Sequence, residues 1–292
     1  MVVKECPVDA IHTFQVRTLR SLGYRTRVVL ANKSHTRPDL RTDYRVDLSV
    51  YKDGKRSDIL TGVGPLAADA RLVIECSPYD LGEADAVLIF HLVPERYAGT
   101  ATADVTRDEL IFLGSIQDHY VEYYRDDGCA AGVLYQTGPF NNPRFSPRST
   151  TLIQAPKFYA SSTVDSTLSL INASADAAYD RVAHVRCTLV GAEGRFTWTE
   201  AVRPFVPHSI SMRDELARRG VTLSRAPAFF CLYAASDNAT VIPLTILSND
   251  ETGAIGIEHS LPPDYYAEAM RGPARGRMME RLGKSTLFRE RR

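Results

Sequence analysis

Residues 253–266 read GAIGIEHSLPPDYY: an apolar run that ends in two ionisable side chains, a proline pair, an acid and two tyrosines. Glu258 and His259 are the residue types that hold a ligand or move a proton. As strand neighbours they point to opposite faces, so one site takes both only if a bulge intervenes. His259 also alternates with Ile255 and Ile257, which suits a histidine closing one end of a core. Pro262 and Pro263 fix the backbone behind them, so Asp264, Tyr265 and Tyr266 are presented with little entropy left to lose. Such tyrosines are large amphipathic contact residues. A binding rim of Glu258, His259, Asp264, Tyr265 and Tyr266 is expected in the second half of the chain.

A second candidate is SIQDHYVEYY (115–124), the most polar of the strand-like runs. Asp118, Tyr120, Glu122 and Tyr124 share one face, and His119, Val121 and Tyr123 the other. Asp118 and Glu122 would lie about 13 Å apart along a strand. That is too far for the carboxylate pair of either glycosidase geometry, or for one metal to be shared. Asp118, His119 and Glu122 could still line a polar groove, and a solvated sheet face explains them as well. ANKSHTRPDLR (31–41) clusters Lys33, His35, Arg37, Asp39 and Arg41, and the stretch matched to it, QAPKFYASS (154–162), carries Lys157 and Tyr159. These residues suit a phosphate or carboxylate, but an edge strand charged against aggregation is the preferred reading.

The motifs name no cofactor. The seven histidines show no metal-ligand spacing. No Walker loop, GxGxxG, GxSxG or zinc deaminase signature occurs. GVGP (62–65) reads as a turn, and Trp198 as packing. The five cysteines are odd in number and widely spaced, against a disulfide framework or a zinc ribbon. Zero formal net charge in 292 residues removes a whole-protein electrostatic case for nucleic acid or membrane, and points instead to a partner or self-assembly. No signal core or membrane-length apolar run is read, so a cytoplasmic protein is expected.

The elements that must position these residues are mostly strands. An amphipathic helix is predicted over 7–23 from Ile11, Phe14, Leu19 and Leu22, with Gly23 as its stop. From residue 27, alternating runs separated by turn signals read as strands. Examples are YRVDLSVY (44–51) before Asp53-Gly54, DAVLIFHLV (85–93), AHVRCTLV (183–190), AFFCLYA (228–234) and ATVIPLTIL (239–247). MRDELARRG (212–220) reads as a single helical turn. YYRDDGCAAGVLYQTGPFN (123–141) lies without a gap over ILSNDETGAIGIEHSLPPD (246–264), with Asp127 on Asp250 and Tyr135-Gln136 on Glu258-His259. The predicted fold is all-β: a tandem duplicated antiparallel β-sandwich with an N-terminal helix. The expected boundaries are 1–26 for the helix, 27–146 and 147–267 for the sandwiches, and 268–292 for a basic tail.

LINAS (170–174), SDNAT (236–240) and a glutamine or histidine at the end of the last strand (Gln136, His259) give each half a rhythm. In this it resembles the small β-sandwich of the sensory rhodopsin transducer family. The resemblance implies an oligomeric, cytosolic, non-enzymatic sandwich that binds small ligands or partners. The fused tandem and the basic tail depart from that pattern, so only the architecture is carried over. Two functions are open on these grounds. One is a non-catalytic binding or assembly protein working as a homo-oligomer. The other is a small-molecule enzyme with Asp118, His119, Glu122, Glu258 and His259 at a sandwich mouth, and it requires those groups to converge.

Overall fold

A computed structural model describes residues 12–32, 42–79, 82–95, 117–128, 130–134, 150–174, 177–258 and 264–266. The chain folds as two compact units: residues 1–142 with 173–179 and 205–207, and residues 143–172, 180–204 and 208–292. Both are all-β.

The first unit contains β1 (His12–Arg17), β2 (Arg25–Asn32), β3 (Tyr44–Lys52), β4 (Lys55–Leu66), β5 (Arg71–Glu75), β6 (Val87–Pro94), β7 (Gln117–Tyr124) and β8 (Ala130–Leu134). One antiparallel sheet runs β1-β6-β3-β4 and the other β5-β2-β7-β8. Val46, Leu48 and Val50 of β3 alternate as the sequence indicates and are fully buried. Asp53 and Gly54 adopt φ of 49° and 79°, the left-handed pair that a two-residue hairpin demands.

The predicted N-terminal helix is not there. Residues 12–17 form β1, paired with β6 along its whole length, and the remainder is a 3-10 turn, Arg20–Leu22, closed by Gly23 at φ 76°. Residues 7–11 lie outside the described residues. Phe14 and Val16 are buried on the alternating pattern, and the helical reading needed Leu22 on the same stripe, where it is 46% exposed. Six ladder positions on a neighbouring strand outweigh the weak helical preference of one short segment. GVGP is not a turn either, since β4 runs through it. Gly62 at φ 70° forms a bulge opposite Asp47 and donates its N–H to Asp47 Oδ1 at 2.8 Å, which lets the strand continue.

The second unit contains β9 (Thr150–Ala160), β10 (Val164–Ile171), β11 (Ala183–Gly191), β12 (Gly194–Val202), β13 (His208–Ser211), a short helix α1 (Met212–Ala217), β14 (Ala228–Ser236), β15 (Ile242–Asn249), β16 (Ile255–Glu258) and β17 (Asp264–Tyr266). Its sheets run β12-β11-β14-β9-β17 and β13-β10-β15-β16. Leu168, Leu170 and Ile210 of one sheet pack with Val185, Cys187, Leu189, Phe230 and Leu232 of the other in a single core, which makes the unit a sandwich. α1 begins at Ser211, whose hydroxyl accepts from Asp214 N at 3.0 Å. Trp198 packs against the core, with the Arg219 guanidinium 4.7 Å over its ring.

The strand order of the second unit is that of the first with every strand number raised by eight, and β17 is added beside β9. The correspondence reaches single residues. Asn32 ends the second strand of its unit, and its side chain donates to Thr42 O, Leu66 O and Ala67 O. Asn172 likewise donates in its unit, to Arg181 O and Val202 O. The gapless overlay of 123–141 on 246–264 does not survive the ladder. Counted from the two hairpins, Tyr124↔Ala130 corresponds to Ser248↔Ile255, so Val133 occupies the place of Glu258. The overlay had matched turn residues, and the second hairpin loop is one residue longer. The match of 31–41 with 154–162 falls for a related reason. The place of β9 is held by β1, the segment read as a helix.

Candidate functional site

The polar strand of the first unit is β7, and its faces divide as expected. His119, Val121 and Tyr123 are buried. The His119 ring stacks on Phe14 at 4.2 Å, and Tyr123 donates to Arg17 O at 2.7 Å. On the other face Glu122 accepts from Arg27 at 3.0 Å, Arg27 Nε reaches Glu75 at 2.5 Å, and Tyr124 donates to Glu75 at 2.6 Å. Burial would raise the Glu75 pKa, but the hydrogen bonds from Tyr124 and Arg27 outweigh it and lower it. Tyr120 lies across Gly132, where an added Cβ would sit 1.6 Å from the phenol oxygen. This face is packed and paired within itself. Asp118 lies on β7 opposite Ala31, and its side chain lies outside the described residues. His119 and Glu122 therefore face opposite sides of one strand and form no common site.

A second group in this unit has the residue types of a nucleophilic triad. Ser49 Oγ lies 3.4 Å from His91 Nε2, and His91 stands opposite Asp47 in the ladder. All three are at most 6% exposed, and Asp47 is held by both arms of Arg45, at 2.9 and 2.8 Å. Burial pushes the His91 pKa down to about 4, against the pull of Asp47. The trio is a satisfied buried network rather than an accessible nucleophile. Burial likewise pushes the Cys187 thiol far up, which keeps it unreactive.

The open feature is in the second unit. A cleft of about 190 Å³ is lined by Lys157 and Tyr159 of β9, Ser166 of β10, Thr245 and Leu247 of β15, and Gly256, Ile257 and Glu258 of β16. β17 covers β9 only at Thr150–Leu152, so Lys157 and Tyr159 stand where β9 has a free edge among the described residues. The β9–β14 register shifts just before Lys157, at the stretch containing Pro156, which has no N–H for a ladder. Ser166 Oγ accepts from Tyr159 N at 2.8 Å. Tyr159 also packs against Phe229, ring centres 5.5 Å apart. Thr245 stands beside Leu168 and Glu258 in the ladder, on the face that looks into the sandwich. It is 4% exposed, and its hydroxyl has no hydrogen-bond partner among the described residues. Neither Lys157 nor Glu258 has an ion-pair partner among them.

Of the residues expected on the rim, Glu258 lines this cleft. His259 lies outside the described residues. Asp264, Tyr265 and Tyr266 form β17, paired with Leu152, Thr151 and Thr150, and their side chains also lie outside. Along β9 that pairing is five residues from Lys157, roughly 16 Å of strand. Lys157 and Tyr159, read as either anion-binding or edge-protecting, do reach the cleft. Ser166, Thr245 and Leu247 gave no signal in the sequence, because alternation marks an inward position without showing that it stays uncovered. Among the described residues no group of His, Cys, Asp and Glu is arranged to hold a metal, and no helix is long and apolar enough to cross a membrane.

This fold and cleft define an all-β protein with sandwich packing and a small two-charge recess. No known family profile matches the chain, and no curated protein does. Solved structures similar to it include a glycosyl hydrolase family 2 member from Bacteroides cellulosilyticus (7% identity, 88% of this chain and 28% of that one, TM-score 0.20). Others are the β-glucuronidase of Bacteroides uniformis (11%, 88% and 26%, 0.18) and a putative β-galactosidase from Bacteroides fragilis (10%, 89% and 33%, 0.18). The chain spans about a third or less of each of these proteins, and superposition scores this low carry no argument about activity.

Proposed function

We propose that the protein is a non-catalytic binding and assembly protein, built by duplication of one β-sandwich, with its specific ligand site in the cleft of the second unit. The eight-strand shift in topology and the shared asparagines support the duplication. The observation that carries the binding role is the cleft itself, whose lining holds Lys157, Glu258 and a buried Thr245 hydroxyl with no partner among the described residues. A buried polar group without a partner costs stability unless something completes it. The enzyme alternative has less support, since His119 sits in a core, Glu122 is in an ion-pair network, and Glu258 belongs to the other unit.

Native mass spectrometry of the freshly purified full chain tests this. The wild type is expected to carry a small-molecule adduct, absent from a Lys157→Ala, Glu258→Ala double variant with an unchanged β-type circular dichroism spectrum. The same adduct on both proteins, or on neither, overturns the assignment of the site.

A further inference from the structure

We infer that the cleft takes a zwitterion of dipeptide size, its ammonium on Glu258, its carboxylate on Lys157 and its peptide group on Thr245. This rests on the cleft being the ligand site. The floor crosses three adjacent strands in the order β10, β15, β16. Adjacent strands lie about 4.8 Å apart, so the floor is roughly 10 Å wide. The anion stands on the far strand, at Glu258. The cation, Lys157, comes from the free edge of β9, which lies beside β10 through the Tyr159 N–H bonded to Ser166. Thr245 is on the middle strand between them.

The chemistry of the lining therefore runs cation, neutral hydroxyl, anion. A ligand with one charge leaves either Lys157 or Glu258 without a counter-charge. An α-amino acid puts both its charges on one carbon, too close together to reach both walls. A dipeptide separates ammonium from carboxylate by one peptide group, which can donate to or accept from Thr245 Oγ1 where no described protein group does. Gly256 keeps the floor low, since a Cβ there would have Leu247 Cβ as its nearest neighbour, at 3.8 Å, and would stand in the recess. Leu247, Ile257 and Tyr159 leave apolar surface for small side chains. A peptide strand adding along the β9 edge fits less well, because the Tyr159 N–H it would need is already taken by Ser166.

The test is calorimetric titration of alanyl-alanine into the full chain, with circular dichroism to confirm that each variant folds. Alanyl-alanine is expected to bind at millimolar concentration or below. N-acetyl-alanyl-alanine and alanyl-alanine amide, each lacking one charge, should bind roughly tenfold more weakly, the scale of one charge-assisted hydrogen bond. Glu258→Gln should weaken alanyl-alanine but not its acetylated form, and Lys157→Met should weaken it but not the amide. 5-Aminopentanoate keeps both charges and lacks the amide, and should bind several-fold more weakly; Thr245→Val should abolish that difference. Equal binding of the blocked forms, or affinities insensitive to all three variants, would overturn the inference. If alanyl-alanine does not bind while the native adduct still depends on Lys157 and Glu258, the dipeptide class fails and the site stands. If the adduct is also insensitive to them, both fail.

Discussion

The two units share a strand order and differ in what fills the same ladder positions. Val121 faces Val133 in the first unit, and both are buried. The corresponding pair in the second is Thr245 and Glu258, and there the sandwich opens. Counted from the two-residue hairpins, Val87 and Cys231 also hold one place, opposite Tyr51 and Val190. Their neighbours on the other side are Arg17 and Lys157. Arg17 is buried against Asp85, with Nε at 3.1 Å, and Asp85 also accepts from Ser21 N at 2.9 Å. Lys157 is exposed and stands just beyond a register shift that β1 does not have. The same framework tolerates closure by apolar packing and a buried ion pair, or a recess with two uncommitted charges. Where a site lies is decided by which positions are left unfilled.

The sharpest way to break this comparison is to exchange its cations for alanine. Arg17→Ala leaves the Asp85 carboxylate buried without its partner, and should destabilise the first unit by about 3–5 kcal/mol. Lys157→Ala should leave the unfolding midpoint of the second unit unchanged. Urea titration reads both, because Trp198, the sole tryptophan, reports on the second unit while circular dichroism reports on both. Equal effects of the two variants would mean that the difference in burial is not real.

Acid separates the units next. His91 is held neutral in the folded state, with a pKa near 4 against an ordinary 6.5, so the unfolded chain binds the extra proton between those values. Stability from this group is complete above pH 6.5 and falls as pH drops toward 4, by up to about 3 kcal/mol. Its ladder counterpart in the second unit is Ala235. The circular dichroism transition should therefore lose stability across this window while the Trp198 transition does not, since burial raises the Asp165 pKa in the second unit and its protonation favours the folded form as pH falls; His91→Gln should flatten the loss. An unshifted first transition would place His91 in water.

The asparagines should instead behave alike. Asn32→Ala and Asn172→Ala each remove a buried amide that ties carbonyls, and each should cost its own unit about 1–3 kcal/mol in urea. A loss confined to one unit would weaken the case for a common ancestor. The smallest effect is expected at Tyr123→Phe, which removes the hydrogen bond to Arg17 O and should cost about 1 kcal/mol; Leu247, in the same position, has no such bond to lose.

Much of the strand content was legible, because Val46, Leu48 and Val50 against polar neighbours can satisfy only one period, and Asp53-Gly54 only one kind of turn. The N-terminal strand was not. HTFQVR alternates, but both its faces are buried in the fold, and Gln15 and Arg17 at 4% and 5% exposure carry no apolar mark. That one misreading displaced the repeat by a strand and set 154–162 against 31–41. Glu258 was legible as an ionisable strand end. Its partners in the cleft were not, since Thr245 and Ser166 look in sequence like any half-buried β residue.

By itself, the sequence determined an all-β chain with a recurring strand grammar, because alternation and turn chemistry are local and survive without their surroundings. It determined also that the second half ends with ionisable and aromatic residues. Only the tertiary structure decided the register: which side of β7 faces a core, that Val133 holds the ladder position matching that of Glu258, and that Lys157 lacks the burial and ion pair that Arg17 has. Those outcomes depend on strands far apart in the chain, and on whether a neighbour fills the space above each position. No local pattern of residues encodes that.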